Sequence, residues 1–248
     1  MNSSKICARL ALSLLCLGAL LLAHLPAVEG ANRVPTNKRA KRVFAQVAPV
    51  LKLELKRKGL ELGAPIFVRI FKDPGRLEVW VQGDSGKFRL FKSYDICFYS
   101  GDLGPKQKEG DMQSPEGFYF VKARQLNPGS SYHLSFNLGF PNAYDRSHGR
   151  TGKALMVHGN CVSIGCYAMT DSYIEEIFTL AHAALKNGQA GFAVHSFPFV
   201  MTEANLRKRK ASPWQGFWRN LKEGYDIFEA SRRPPRVRAR SGVYVFRK

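Results

Sequence analysis

Acidic residues are scarce: 19 Asp and Glu face 38 Lys and Arg in 248 residues, a formal net charge of +19. A chain this basic favours polyanionic partners: nucleic acid, an anionic membrane or an acidic polymer. Long apolar runs are missing as well. The longest, Leu10 to Ala23, is about fourteen residues, short of the roughly 20 that a membrane-spanning helix needs, so a cleaved signal is favoured over a membrane anchor. No internal repeat is seen. The Gly-rich loop from Gly101 to Gly117 carries Lys106 and Lys108 but lacks the Gly-Lys-Ser/Thr ending of a nucleotide-binding loop. Disorder and collagen-like order are excluded by 45% hydrophobic and 23% charged residues. The length suits one domain with extensions and a sizeable core.

The first thirty residues bear on compartment. A short basic region with Lys5 and Arg9 precedes the apolar run. The small-residue stretch Ala27-Val28-Glu29-Gly30-Ala31 follows. This is the layout of a cleaved signal peptide, cut after Gly30, so the expected location is the periplasm and the expected membrane contact is limited to export. Leu14-Leu15 before Cys16 lacks the small residue of a lipoprotein cleavage site, so no lipid anchor is expected. Cleavage removes two basic residues and one acidic one and leaves a charge of +18. In that compartment nucleic acid drops out as a partner and an acidic wall polymer takes its place.

Cysteine is scarce too. Of five, Cys7 and Cys16 leave with the signal, and Cys97, Cys161 and Cys166 remain. An odd number in an exported protein leaves a free thiol or an intermolecular bridge. A free thiol in an oxidising space is a liability unless it is used.

Periodicity gives the organisation. Residues 31–64 read as a basic segment followed by a helix from about Lys38 to Lys58, kinked or divided at Pro49. From Pro65 the period becomes two. The runs Ile66–Phe71, Leu77–Val81, Phe88–Phe91 and Tyr94–Cys97, separated by Asp73-Pro74-Gly75 and Gly83–Gly86, predict an antiparallel meander. Further strands are expected at Phe118–Val121, His133–Leu138, Ala154–Val157 and Phe192–Phe197. A helix is expected over Asp171–Leu185, capped by Thr170 or Asp171. Residues 65–198 form the expected main domain, mostly β with flanking helices (α+β). Residues 199–248 are read as a helical, basic extension with a last strand near Val243–Phe246.

The segment from Leu155 to Met169 is the most informative. An apolar strand delivers His158 at its end, Gly159 allows a tight turn, and Gly165-Cys166 follow eight residues after the histidine. A cysteine nucleophile needs a base close by. Gly165 would let a carbonyl approach the thiol and leave nearby backbone N–H groups free for an oxyanion. The residues alone leave alternatives open: His158 caps a strand, or Cys166 pairs with Cys161 or Cys97. The spacing H-x2-C-x4-C is not a standard zinc pattern, and neither a metal nor another cofactor is expected.

His158-Gly159 followed by Ser163-x-Gly165-Cys166 resembles the signature of the YkuD-like L,D-transpeptidase family. So does Ser114-Pro115-Glu116-Gly117-Phe118-Tyr119 upstream. Residues 100–106, Gly139 to Asp145, the short His-to-Cys spacing and Cys166-Tyr167-Ala168-Met169 resemble the YafK branch, which includes a peptidoglycan–lipoprotein amidase. Two departures stand out: Ile164 occupies a position where the family usually has His, and the loop before Cys166 is shorter than usual. The resemblance implies a YkuD-like β-sandwich or barrel. It also implies a Cys166 thiolate paired with His158, support from Gly159, Ser163 and Gly165, and an acyl-enzyme formed at the L-centre carbonyl of diaminopimelate in peptidoglycan stems. Water as acceptor gives release of a lysine-linked lipoprotein, and an amine gives transpeptidation. A rival reading is a non-catalytic peptidoglycan-binding envelope protein.

Other residues carry weaker expectations. Tyr144, Arg146 and His148 lie in a loop where Arg146 could clamp a stem carboxylate. Cys97 and Cys161 either pair with each other, leaving Cys166 free, or remain buried thiols. His195 reads as structural, and His182 as a surface or packing residue of a helix. Trp214, Phe217, Trp218 and Leu221 recur at helical spacing as a docking face. The Arg232–Arg240 run reads as a solvated segment attracted to the anionic envelope.

Overall fold

A computed structural model describes residues 33–247; the signal-peptide and cleavage-site expectations lie outside these residues. The chain first forms helix α1 (Lys38–Arg57). The meander follows as β1 (Ile66–Asp73), β2 (Arg76–Gln82) and β3 (Phe88–Asp95). The two runs expected between Phe88 and Cys97 are therefore one strand. Next come β4 (Phe98–Tyr99), β5 (Gly117–Val121), a 3-10 turn at Ala123–Gln125, β6 (Leu126–Asn127) and β7 (Ser135–Asn137). Helix α2 (Ala143–Ser147), β8 (Met156–His158), β9 (Tyr167–Ala168), α3 (Asp171–Lys186) and β10 (Phe192–Phe199) complete the middle of the chain. The end comprises α4 (Glu203–Lys208), α5 (Gln215–Ser231) and the hairpin β11 (Arg236–Arg240) and β12 (Val243–Arg247).

Two five-stranded sheets organise the fold, in the orders β3-β2-β1-β10-β5 and β4-β9-β8-β7-β6. The meander is antiparallel, whereas β1 pairs with β10 in parallel, Val68 opposite Val194. Residues 66–72 of β1 are all buried because both faces of that strand are covered. Ile66, Val68 and Ile70 join the main core with α1, α3 and the second sheet. Phe71 joins Trp218, Leu221 and Tyr244 on the opposite face, and Phe67 joins Phe228 there. The mostly β, α+β expectation stands, and the last fifty residues are a covering layer of the first sheet.

Ion pairs fasten that layer. Arg69, buried in β1, binds Glu78 at 2.8 Å and Glu229 of α5 at 2.5 Å. Lys72 and Glu116, with fully buried side chains, lie 3.1 Å apart. Glu116 also accepts from the Gly104 N–H at 2.6 Å and from Trp218 Nε1 at 2.9 Å. The Ser114-Pro115-Glu116-Gly117 segment thus ties a strand start to a loop and to α5.

Two expectations need correction. Of the two alternatives at Pro49, division is the one corrected: helix α1 runs through it as a single element. Pro49 and Ala45, whose carbonyl loses its usual N–H partner, are both exposed, so water can satisfy the freed group. The Arg232–Arg240 run is not simply a solvated segment. Its second half is strand β11, in which Arg236, Arg238 and Arg240 face solvent while Val237 and Ala239 turn inward.

Candidate active site

The second sheet brings His158 and Cys166 into one cleft. Strands β8 and β9 are parallel neighbours, Val157 opposite Tyr167 and His158 opposite Ala168. Parallel strands usually need a crossover of a dozen or more residues. Here residues 159–166 make the connection, and the backbone turns sharply to do it. Asn160 (φ 66°) and Cys161 (φ 39°) are left-handed, and Gly165 has φ 142°, a conformation open essentially to glycine. Gly159 is required for another reason: a Cβ there would lie 2.4 Å from Asp171 Oδ1. That same oxygen accepts the Asn160 N–H at 2.8 Å. Cys161 is bonded to Cys97, which pins the turn beside β4. Cys166 is the free cysteine among the described residues.

His158 is buried, with its ring 4.6 Å from that of Tyr132. Its Nδ1 lies 2.6 Å from the Gly159 carbonyl oxygen. A carbonyl only accepts, so Nδ1 carries the proton and Nε2 keeps a free lone pair. The half-buried Cys166 thiol accepts from the Met156 N–H at 3.4 Å and donates to the Ala154 carbonyl at 3.6 Å. Burial pushes the thiol above its ordinary value, against smaller pulls from the Met156 N–H and Lys106. Burial also pulls His158 below its ordinary value, against the Gly159 hydrogen bond. Both shifts favour neutral forms. Burial thus works against the Cys166 thiolate, and a neighbouring base must take the proton as the thiol attacks.

The cleft measures about 510 Å³ and is bounded by Lys106, Met112, Tyr132, Lys153, Leu155 and Ile164 among others. Ser163 and Gly165 also line it. Ser163 Oγ accepts the Gly165 N–H at 3.0 Å and donates to the Cys166 carbonyl at 2.8 Å. The Gly165 N–H is thus committed to this brace and is not free for an oxyanion as expected.

Tyr144, Arg146 and His148 do not line the cleft. Tyr144 stacks on Tyr244 with ring centres 4.2 Å apart, His148 Nε2 meets the Gly242 carbonyl at 2.8 Å, and Arg146 donates to the Pro141 carbonyl. Asp145 pairs with Arg150, not with its neighbour Arg146. The substrate-clamp expectation for these residues is corrected: α2 supports the C-terminal hairpin.

Three residues at the site escaped the sequence reading: Ser114, buried behind the cleft, and Lys106 and Tyr132 in its lining. Ser114 Oγ donates to the Cys166 carbonyl at 3.1 Å from 52 positions away. It lay inside a motif that was visible, but its contact was not. Lys106 is almost fully buried and paired with Asp111; its glycine-rich surroundings had suggested only a phosphate loop. Tyr132 gave no local signal. His195 is structural as expected, packed between Phe67 and Phe118 at 4.6 Å from each. Among the described residues no group of three or more His, Cys, Asp or Glu could hold a metal ion.

Comparison with known proteins matches residues 67–191 to the family model of the L,D-transpeptidase catalytic domain, YkuD. The chain is 51% identical over 187 residues to a curated Escherichia coli (strain K12) protein named for L,D-transpeptidase YafK, a name that leaves the activity unproven. The match covers 75% of this chain and 76% of that one, and the Escherichia coli O157:H7 counterpart gives the same figures. Among solved structures, a point mutant of the helical cell shape determining protein Pgp2 from Campylobacter jejuni is 24% identical. It covers 59% of this chain and 53% of its own, with a TM-score of 0.43.

Proposed function

The chain belongs to the L,D-transpeptidase catalytic-domain family, and on that footing we propose that it is a periplasmic cysteine acyl-transfer enzyme that hydrolyses peptidoglycan–lipoprotein links. One observation carries the chemistry: a free thiol and a tautomer-fixed imidazole line the same cleft while the other two described cysteines are bonded to each other. The periplasmic placement rests on the basic and apolar order of the first thirty residues.

In this reading Cys166 Sγ attacks the carbonyl at the L-centre of diaminopimelate in a stem. The thiol proton passes to Nε2 of His158, whose Nδ1–H stays on the Gly159 carbonyl. The carbon–nitrogen bond to the linked lysine breaks, and the imidazolium protonates the departing amine. Water, deprotonated by His158, then attacks the thioester, which releases a stem carboxylate and restores the thiol. With the Gly165 N–H engaged by Ser163, the Cys166 N–H is the backbone donor beside the thiol for the oxyanion. Hydrolysis is favoured by the resemblance of residues 100–106, Gly139 to Asp145, the short His-to-Cys spacing and Cys166–Met169 to the YafK branch. The curated relative's name favours the alternative, in which an amine replaces water at the same thioester.

The deciding experiment incubates purified mature chain with sacculi bearing a linked lipoprotein. Released protein with a free lysine amine supports hydrolysis, and new stem-to-stem links support transpeptidation. Cys166→Ala should lower turnover at least about 10³-fold and leave sacculus binding intact. Wild-type turnover by this variant would overturn the mechanism. Neither product from the wild type, with binding retained, would leave a binding protein of this fold.

A further inference from the structure

A second cavity, on the outer face of the first sheet, shares no lining residue with the cleft. It measures about 460 Å³, within the roughly 300–1,000 Å³ typical of small-ligand sites. Phe118, Phe120 and Ala193 line it from the sheet, and Pro234, Pro235 and Val237 from the C-terminal segment. Phe120 keeps 50% of its surface exposed, a cost that an apolar occupant would remove. His195, another lining residue, makes no hydrogen bond through its buried Nδ1. Burial, with a smaller push from Arg69, holds it down to about 3. Arg236 at the lip is therefore the one charged residue of the lining, and an apolar occupant deeper in breaks no hydrogen bond at Nδ1.

The lip is strongly cationic. Arg236 lines the cavity and lies directly opposite Arg247 in the hairpin register. Arg238 and Arg240 continue the same exposed face of β11 at about 6.8 Å steps. Among the described residues none of these four arginines has an acidic partner within ion-pair distance. Like charges directly opposite each other destabilise a strand pair, so this hairpin carries a repulsion that an anion would relieve. Val243 and Val245 complete the face and are exposed.

We propose that this groove binds a phospholipid through one acyl chain and its anionic headgroup. The chain lies between Phe120 and the Pro234–Val237 segment, and the phosphate lies between Arg236 and Arg247. Guanidinium groups bind phosphate by paired hydrogen bonds, and the apolar cavity adjoins them directly. A sugar–peptide polymer would use the charge but leave the aromatic surface wet. One chain and one headgroup give reversible binding, weakened by salt because the arginines are exposed.

The test titrates the mature chain with three probes below micelle-forming concentration: lysophosphatidylglycerol, lysophosphatidylcholine of the same chain length, and glycerol 3-phosphate. Expected is one-to-one binding of lysophosphatidylglycerol, at least about ten-fold weaker binding of the zwitterionic lipid, and none of glycerol 3-phosphate. Arg236→Glu combined with Arg247→Glu should weaken lysophosphatidylglycerol about ten-fold or more and flatten its salt dependence. Ala193→Trp, which fills the groove, should abolish binding. Unchanged Cys166 alkylation by iodoacetamide certifies folding, and if Ala193→Trp fails that check, Phe120→Ser takes its place. The proposal is overturned by absent lysophosphatidylglycerol binding, by equal binding of the two lipids, by glycerol 3-phosphate binding as tightly, or by wild-type binding in the charge or groove variant.

Discussion

The two sheets solve different problems. Four of the first sheet's strands are seven or eight residues long, with helices on one face and the C-terminal layer on the other. The second sheet's strands are two or three residues long, too short to be held by ladder bonds alone. Side chains stitch it instead: the Cys97–Cys161 bond, Ser163 and Ser114 on the Cys166 carbonyl, and Tyr167, whose hydroxyl meets Pro115 O at 2.6 Å and Ser196 at 2.8 Å. The candidate nucleophile sits on the sheet with little regular structure. A rigid platform and an irregular loop layer divide stability from chemistry, as loops on scaffolds commonly do.

The largest stability change should come from the platform. Glu116→Ala leaves Lys72 buried without its counter-charge and strips acceptors from the Gly104 N–H and Trp218. Breaking a buried pair from one side costs about 3–5 kcal/mol. Urea unfolding should show that loss, and Glu116→Gln should recover part of it. A loss below about 1 kcal/mol would mean that the C-terminal layer is not fastened through this pair.

Acid should expose the platform next. His195 is held neutral down to about 3 by burial, with Arg69 adding to it, while the unfolded chain takes up its proton near 6.5. A depressed pKa means that stability is full above pH 6.5 and drains as pH falls from 6.5 towards 3, by roughly 4 kcal/mol at the lower end. His195→Phe should flatten that part of the stability–pH curve. An unchanged slope would show that other groups carry the acid response.

The disulfide separates the two sheets most cleanly. It closes a separation of 64 residues, worth about 4 kcal/mol on the chain-entropy account. Cys97→Ser with Cys161→Ser should lower stability by that order, and hydrogen exchange should rise chiefly over residues 154–170. The left-handed residues Asn160 and Cys161 lose their tether there. Uniformly faster exchange across β1, β2 and β10 would break the comparison, because it would make the loop layer part of the platform.

Legibility followed the same division. The meander was readable because long half-buried strands alternate and turns punctuate them, as in Ile66–Phe71 and Leu77–Val81. The parallel pairing of β1 with β10 was not, since alternation names a strand but not a partner more than a hundred residues away. In the loop layer His158 and Cys166 were visible through their motif. Lys106 and Tyr132, which line the same cleft, were not, because nothing local marks a contact across the fold. Tyr144, Arg146 and His148 misled because a polar loop near a motif looks like a substrate clamp. Tyr144 stacks instead on Tyr244, an aromatic a hundred residues further on. The opposing pull on the thiol was illegible for a different reason: desolvation is set by burial, which no residue pattern reports.

The smallest effect tests the stitching itself. Ser163 Oγ holds two bonds, one from the Gly165 N–H and one to the Cys166 carbonyl, while Ser114 supplies a second donor to that carbonyl. Ser163→Ala therefore strips one bond from the carbonyl and leaves the other, at a cost of about 1 kcal/mol. The Gly165 N–H is released at the same time, so the thiol moves more than the fold weakens. Turnover on the lipoprotein-bearing sacculi should fall about five- to ten-fold with KM nearly unchanged. Ser163→Thr, which keeps the hydroxyl, should restore most of it. A fall in KM-dependent binding without loss of turnover would instead place Ser163 among the substrate contacts. No change in either would make Ser114 the sufficient brace, with Ser114→Ala then showing the loss that Ser163→Ala did not.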